Sequence, residues 1–277
     1  MATRLAYLGP PGTFSEQAGL TYDATAVAQP ASSIAAAARA VVDGSADQAI
    51  VPIENSLGGS VTETLDLLIH ELDLRISHEV VLRIQHCLIA PPGIAQDQVR
   101  RVYSHPQALA QCREFLARDL PGVDPVAAIS TAHAVEAVMD QPAAAAAAIA
   151  PRRAADIHGA VVLREGIEDD PRNRTRFVVL GHHDAAPTGD DKTSIAFNIA
   201  DRPGALVRVL QRFADASINL TKIESRPARE ELGVYVFLLD CTGHRTDSAV
   251  AAVIEQVRGE ATFLKVFGSY PRFQAPA

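Results

Sequence analysis

The chain has 277 residues, 48% of them hydrophobic, which is enough to bury the cores of two ordinary domains. Its net charge of −8, with no lysine/arginine run longer than a pair, excludes nucleic acid as a partner. No apolar span approaches about 18 residues, and Gly9-Pro10-Pro11-Gly12 interrupts the hydrophobic stretch near the amino terminus. Cys87, Cys112 and Cys241 sit singly in apolar sequence, so the expectation is a cytoplasmic, soluble protein with reduced, buried thiols and no membrane partner.

Arg4 to Leu8 reads as a short buried strand, followed by the glycine–proline turn and by Thr13-x-x-Glu16, a capping box that opens a helix. The turn lacks the G-K-[ST] of a phosphate loop and the spacing of a dinucleotide fingerprint. It still collects free amides at the positive end of a helix, a setting that favours a carboxylate. The unit recurs at Asp47 to Ile53, where the loop Glu54-Asn55-Ser56-Leu57-Gly58-Gly59 leads to a second expected box, Ser60-x-x-Glu63. Val61, Leu65, Leu68, Ile69 and Leu72 then form one helical stripe. A third copy runs from Val99 to Tyr103 into Ser104-His105-Pro106, with proline at the first helical position and Gln107 and Gln111 on one helical face. A fourth runs from Pro125 to Ile129 into Ser130-Thr131, ahead of a helix carrying Val135, Val138 and Met139.

Ala143 to Ala150 reads as a helix end or a tightly packed strand, Pro151 to Gly159 as a short helix capped by Gly159, and Ala160 to Leu163 as a strand. After a turn at Glu168 to Pro171, Asn173-Arg174-Thr175-Arg176-Phe177 enters the apolar strand Phe177 to Leu180. Strand alternation sends Thr175 and Phe177 one way and Arg174 and Arg176 the other. His182 to Asp191 has no apolar period and reads as a linker between a domain of residues 1–181 and one of residues 192–277. In the second, Thr193 to Ile199, a helix from Pro203 to about Asp215, Ile218 to Ser225, Leu232 to Cys241, a helix from Asp247 to Val257, and Phe263 to Phe267 give the order βαββαβ, an α+β ferredoxin-like sandwich.

In α/β sheets, ligands lie beyond the carboxyl ends of strands, so the loops at Gly9–Ser15, Glu54–Ser60, Ser104–Gln111, Ser130-Thr131 and Asn173–Phe177 are expected to converge. Hydroxyls, amides, helix N-termini and a guanidinium suit a small anion. His105 and His133 are the histidines on these loops. No metal-ligand cluster or serine-hydrolase motif occurs. Two classes remain open from the residues alone: a binding protein for a small anion, or an enzyme whose substrate needs little acid–base help.

The strings Gly9-Pro10-Pro11-Gly12-Thr13-Phe14-Ser15, Val51-Pro52-Ile53-Glu54-Asn55-Ser56, Tyr103-Ser104-His105-Pro106-Gln107-Ala108-Leu109-Ala110-Gln111-Cys112, Ser130-Thr131-Ala132 and Asn173-Arg174-Thr175-Arg176-Phe177 resemble, in order, the signatures of prephenate dehydratases. Gly204-Ala205-Leu206-x-x-x-Leu210 and Glu224-Ser225-Arg226-Pro227 resemble the phenylalanine-binding motifs of that family's ACT regulatory domain. His133 and the alanine run depart from the family pattern. The resemblance implies a two-lobed, periplasmic-binding-protein-like α/β catalytic domain followed by an ACT domain. It also implies conversion of prephenate, or in related enzymes arogenate, without a cofactor or metal. Thr175 is then the donor to the departing hydroxyl, with relay from Glu54 or water; Arg176, Glu54, Asn55, Ser104 and Gln111 complete the catalytic set, and Thr13, Ser15, Ser56, Thr131, Asn173 and Phe177 bind substrate. The regulatory set is Gly204, Ala205, Leu206, Leu210, Asn219, Leu220, Glu224, Ser225 and Arg226, with L-phenylalanine as inhibitor of a homodimer or homotetramer joined through ACT domains.

Overall fold

The computed structural model describes residues 2–141, 144–228 and 234–274. β1 (Arg4–Leu8) leads to α1 (Phe14–Tyr22), whose cap is Thr13: its Oγ1 accepts from Glu16 N at 3.3 Å. The Glu16 carboxylate does not close the box on Thr13; it accepts from Gly12 N at 2.7 Å and pairs with Arg153 at 3.3 Å. β2 (Val27–Ala31) and α2 (Ile34–Val42) follow, two elements the sequence reading passed over. β2 is mostly exposed and contains Pro30, while α2 is capped by Ser33 and buries Ile34, Ala37, Ala38 and Val41 at helical spacing.

β3 (Gln48–Asn55) turns back on β4 (Gly59–Ser60), pairing Asn55 with Gly59 and Glu54 with Ser60. Ser60 is therefore in a strand, and the helix expected to start from it begins instead at Thr62. That helix, α3 (Thr62–Asp66), is short and widens into a π-helical turn, Leu67–Glu71, in which Leu67, Leu68 and Ile69 are all buried. β5 (Arg75–Arg83) and β6 (Cys87–Ala90) come next, also unread in the sequence, then β7 (Arg101–Ser104), α4 (Pro106–Gln111), α5 (Arg113–Asp119) and β8 (Asp124–Ala127). α4 is capped by His105 with Pro106 at its first position, and α6 (Thr131–Met139) by Ser130, which accepts from His133 N at 3.0 Å. The alanine run forms β9 (Ala146–Ala150); Ala143, its expected start, lies outside the described residues. α7 (Arg152–His158) ends at Gly159 in the left-handed conformation, and β10 (Val161–Glu165) and β11 (Arg174–Gly181) complete this part of the chain.

Two sheets result. The first has the order β2-β1-β3-β11-β5 with β4 beside β3, and the second the order β10-β6-β9-β7-β8. In the second, β7 runs parallel to β8 and β9, whereas β6 is antiparallel to both β9 and β10. β9 is buried on both faces: Ala147 and Ile149 join a core with Val102 and Phe115, and Ala146, Ala148 and Ala150 join another with Val135 and Val138. Alanine on both faces is what lets helices approach so closely, which gives the low-complexity run a packing reason.

Contacts divide the chain into a first unit, residues 1–62 and 80–177, and a second, residues 63–79 and 178–277. The second contains β12 (Asp191–Ile199), α8 (Ala205–Asp215), β13 (Leu220–Pro227), β14 (Tyr235–Thr242), α9 (Ser248–Glu260) and β15 (Ala261–Pro271), with sheet order β13-β14-β12-β15. This is the βαββαβ sandwich read from the sequence, its core formed by Phe197, Val209, Phe213, Leu239, Val253 and Val257. Leu232, the expected start of its third strand, lies outside the described residues. Residues 63–79 are built into this unit. Lys192 Nζ donates to both Glu79 oxygens at 2.8 and 3.0 Å, and Phe273 N donates to Glu79 at 3.0 Å. Lys265 Nζ donates to Leu72 O at 2.8 Å, Arg75 to the Val266 carbonyl, and Arg226 pairs with Asp66 at 3.3 Å. Gly268 lies against Ile76, where a Cβ would fall 2.2 Å from the Ile76 carbonyl oxygen. The linker has no regular structure but is tied down: Ala185 N donates to Ser269 O at 3.2 Å and Thr188 N to Asp191 at 2.8 Å.

Candidate active site

The first unit holds a cavity of ≈ 780 Å³, and all five expected loops reach it. Thr13, Phe14 and Ser15 come from the start of α1; Asn55 from the end of β3; His105, Gln107, Ala108 and Gln111 from α4 and its cap; Ile129, Ser130, Thr131, His133 and Glu136 from α6 and its approach; Thr175 and Phe177 from β11. Of the residues expected in the site, Thr175, Asn55, Gln111, Thr13, Ser15, Thr131 and Phe177 line it. Arg176, Glu54, Ser104, Ser56 and Asn173 do not.

The reason lies in strand alternation. On β11, Thr175 and Phe177 face the cavity and Arg176 faces away, as Asn55 and Glu54 do on neighbouring β3. The two outward side chains meet each other, Arg176 Nη2 donating to Glu54 Oε2 at 2.9 Å. Neither Glu54 nor Arg176 is among the residues that line the cavity. Ser104 is buried and donates to Ile149 O at 2.6 Å, joining β7 to the neighbouring strand. Ser56 Oγ accepts from Arg174 N at 2.9 Å, and Asn173 is buried beneath the loop, its Oδ1 accepting from Asn55.

Asn55 and Thr175 form the best-defined part of the wall. The Asn55 oxygen accepts from Leu57 N at 3.0 Å and Gly58 N at 2.8 Å, which fixes the orientation of the amide. Its NH2 therefore points at Asn173 Oδ1 at 2.8 Å, Arg174 O at 3.1 Å and Thr175 Oγ1 at 2.9 Å. Because the Thr175 oxygen accepts there, its own O–H is available to be donated into the cavity. Thr175 is 9% exposed, so that donor works in a largely water-excluded wall.

Among the described residues that line the cavity, the ionisable ones are His86, His105, His133 and Glu136, and none is lysine or arginine. Positive potential comes from backbone: the N-termini of α1 and α6 both open onto the cavity. His105 Nδ1 is taken up in capping, accepting from Gln107 N at 3.3 Å, and His133 Nδ1 lies 3.2 Å from Glu136. His86 was missed by sequence reading. It precedes β6 rather than a helix, and it reaches the cavity because β6 is antiparallel to β9, so that the start of β6 lies beside the end of β9. Burial pushes its pKa down, opposed by the bond to Gln111 and the Glu168 charge.

The family model described as prephenate dehydratase matches residues 5–185, and that described as ACT domain matches residues 193–259. The chain is 44% identical over 270 residues to the bifunctional chorismate mutase/prephenate dehydratase of Stutzerimonas stutzeri, spanning 97% of this chain and 73% of that one. It is 40% identical over 280 residues to a prephenate dehydratase of Mycobacterium bovis, spanning 97% and 87% respectively. Among solved structures, the prephenate dehydratase of Arthrobacter aurescens in complex with L-Phe matches with a TM-score of 0.90 and 37% identity over 97% of this chain and 90% of that one.

Proposed function

The chain belongs to the prephenate dehydratase family, and from that premise we propose that the cavity of the first unit performs the decarboxylative dehydration of prephenate to phenylpyruvate with Thr175 as the donor to the departing hydroxyl. The carrying observation is the Asn55–Thr175 bond of 2.9 Å, which occupies the threonine oxygen as an acceptor and leaves its hydrogen for the ligand. The ring carboxylate leaves as carbon dioxide, the electron pair of the broken C–C bond moves through the diene, and the C–O bond to the hydroxyl breaks as the ring becomes aromatic. The departing oxygen leaves as hydroxide and takes a proton to become water. Threonine is too weak an acid to surrender its proton outright, so Thr175 acts as a hydrogen-bond donor to developing hydroxide. Helix N-termini at Thr13 and Ser130 suit the two carboxylates of the substrate, while Gln111, Thr131 and Ser15 orient it and Phe177 packs beside it. Glu54 and Arg176 act through one another, holding β3 and β11 together behind Asn55 and Thr175. Incubating the purified chain with prephenate and with arogenate, and measuring phenylpyruvate and phenylalanine, tests the reading and identifies the substrate. Turnover of neither would remove it.

The dehydratase domain is then residues 1–181, the linker 182–191, and the ACT domain 192–277, acting in the cytoplasm with phenylalanine as its inhibitor. In the second unit a cavity of ≈ 310 Å³ is lined by Ala205, Leu206, Asn198, Asp201, Tyr235 and Phe237 among others. Gly204, at φ +79, caps the adjoining helix α8. Leu210 and Leu220 instead pack on the core, and Asn219 O accepts from Thr242 N at 2.9 Å. Glu224, Ser225 and Arg226 lie on the edge strand β13 and are not among the residues that line this cavity, although Ser225 pairs with Phe237, which does. One chain therefore does not assemble the whole regulatory set, which supports pairing of ACT domains in a homodimer or homotetramer to complete it. Phenylalanine inhibits to the extent that it binds the inhibited arrangement more tightly than the active one.

A further inference from the structure

His86 is 2% exposed and forms part of the cavity wall, yet nothing above gives it a task. Its Nε2 lies 3.0 Å from Gln111 Oε1. A carbonyl oxygen only accepts, so Nε2 carries the hydrogen and the other nitrogen, Nδ1, is bare; Nδ1 has no hydrogen-bond partner. The ring is held in place on several sides. His86 N donates to the buried Glu168 carboxylate at 3.0 Å, His86 O accepts from Ile167 N at 3.2 Å, and the ring packs edge-on against Phe14 at 5.5 Å. Gln111 is anchored too, its backbone oxygen accepting from Asp169 N at 2.7 Å. The Gln111 side-chain amide can still turn about its last bond, and its two ends are nearly the same size and differ in chemistry. Its oxygen is taken by His86, whereas its NH2 makes no hydrogen bond to the described residues.

Resting on the dehydratase reading of this cavity, we propose that His86 is a positioning residue: it fixes the Gln111 amide so that the NH2 group, and not the carbonyl oxygen, meets a carboxylate or keto oxygen of the substrate. Without the imidazole donor the amide can turn over and set its oxygen against a substrate oxygen, a repulsive contact in a site that needs donors. The residue works through Gln111 and does not touch the reacting atoms.

The test uses the full chain. kcat and KM for prephenate are compared in wild type, His86→Gln, His86→Leu, Gln111→Ala and the His86→Leu/Gln111→Ala double variant. His86→Leu is expected to lose about 10- to 100-fold in kcat/KM. His86→Gln should recover most of this, because its amide places an N–H where Nε2–H was. The double variant should be no worse than Gln111→Ala alone, since the histidine has nothing left to orient. Imidazole ¹⁵N shifts of the wild type should show the Nε2–H tautomer. Losses that multiply in the double variant, a His86→Gln enzyme as impaired as His86→Leu, or an Nδ1–H tautomer would each overturn the proposal. Should the leucine variant fail to fold, His86→Gln and the tautomer still decide. A wild type that turns over neither prephenate nor arogenate would count against the dehydratase reading, and the tautomer measurement would judge His86 separately.

Discussion

The chemistry proposed for this site turns on one hydrogen atom, that of the Thr175 hydroxyl, and on the amide that keeps it free. Thr175→Val preserves shape and removes the donor, so turnover is expected to fall by about 10²-fold or more with folding unchanged, while Thr175→Ser retains part of the rate. Steady-state kinetics with a circular-dichroism control check this, and a valine variant at wild-type rate would take Thr175 out of the mechanism. The buried His86 carries a pH consequence of its own. Its native pKa lies below the value of an unfolded histidine, so the unfolded chain binds the extra proton first as pH falls. Its neutral form is therefore accommodated fully above about pH 6.5, and stability is lost progressively as pH drops through that value towards the native pKa. His86→Gln, which cannot titrate, should show a shallower decline of denaturation midpoint between about pH 7 and pH 5; parallel declines in the two proteins would mean the ring is solvated.

At the scale of elements, alternation along β3 and β11 sorts the signature residues into those that touch ligand and those that hold the strands. Thr175, Phe177 and Asn55 face the cavity; Arg176 and Glu54 bond to each other at 2.9 Å on the far side. Arg176→Lys is accordingly expected to lower kcat by about tenfold with little change in KM, because the shorter-reaching ammonium cannot reproduce the guanidinium's bond to Glu54 Oε2 and the strands shift slightly. A rise in KM alone would instead put the guanidinium on the substrate. This sorting was partly legible in the sequence: period-two geometry placed Thr175 opposite Arg176, and helix-cap signals at Thr13, His105-Pro106 and Ser130 located three walls of the cavity. Ser60 misled, because a serine three residues before a glutamate also fits a tight hairpin, and Gly59 with φ +74 supplies the turn. His86 was invisible for a topological reason. Its place at the cavity follows from β6 running against β9, and strand direction is set by long-range pairing that no local pattern records.

At the scale of the whole chain, regulation and stability meet in the second unit. Gly204 adopts φ +79, a conformation that costs other residues roughly 1–2 kcal/mol. Gly204→Val should therefore weaken phenylalanine inhibition more than catalysis, as titration of activity with phenylalanine would show; an unchanged inhibition curve would place the effector elsewhere. Lys192 and Glu79 are a nearly buried pair, at 13% and 4% side-chain exposure, and Phe273 N also binds the carboxylate. Lys192→Met removes the cation 2.8 Å from that buried carboxylate and is expected to cost about 3–5 kcal/mol in urea denaturation, far more than loss of an exposed pair such as Arg4–Asp47. The pair also joins stretches made at different times. On the ribosome, Glu79 emerges well before Lys192 and Phe273, a delay of roughly 6–40 s at ~5–20 residues per second. Until then the Glu79 carboxylate lacks the two donors that Lys192 and Phe273 bring to it in the folded chain. A message cut short after the linker would leave that carboxylate without Lys192 and Phe273 for the lifetime of the product, so the last strands made complete a polar contact that the early segment cannot satisfy by itself.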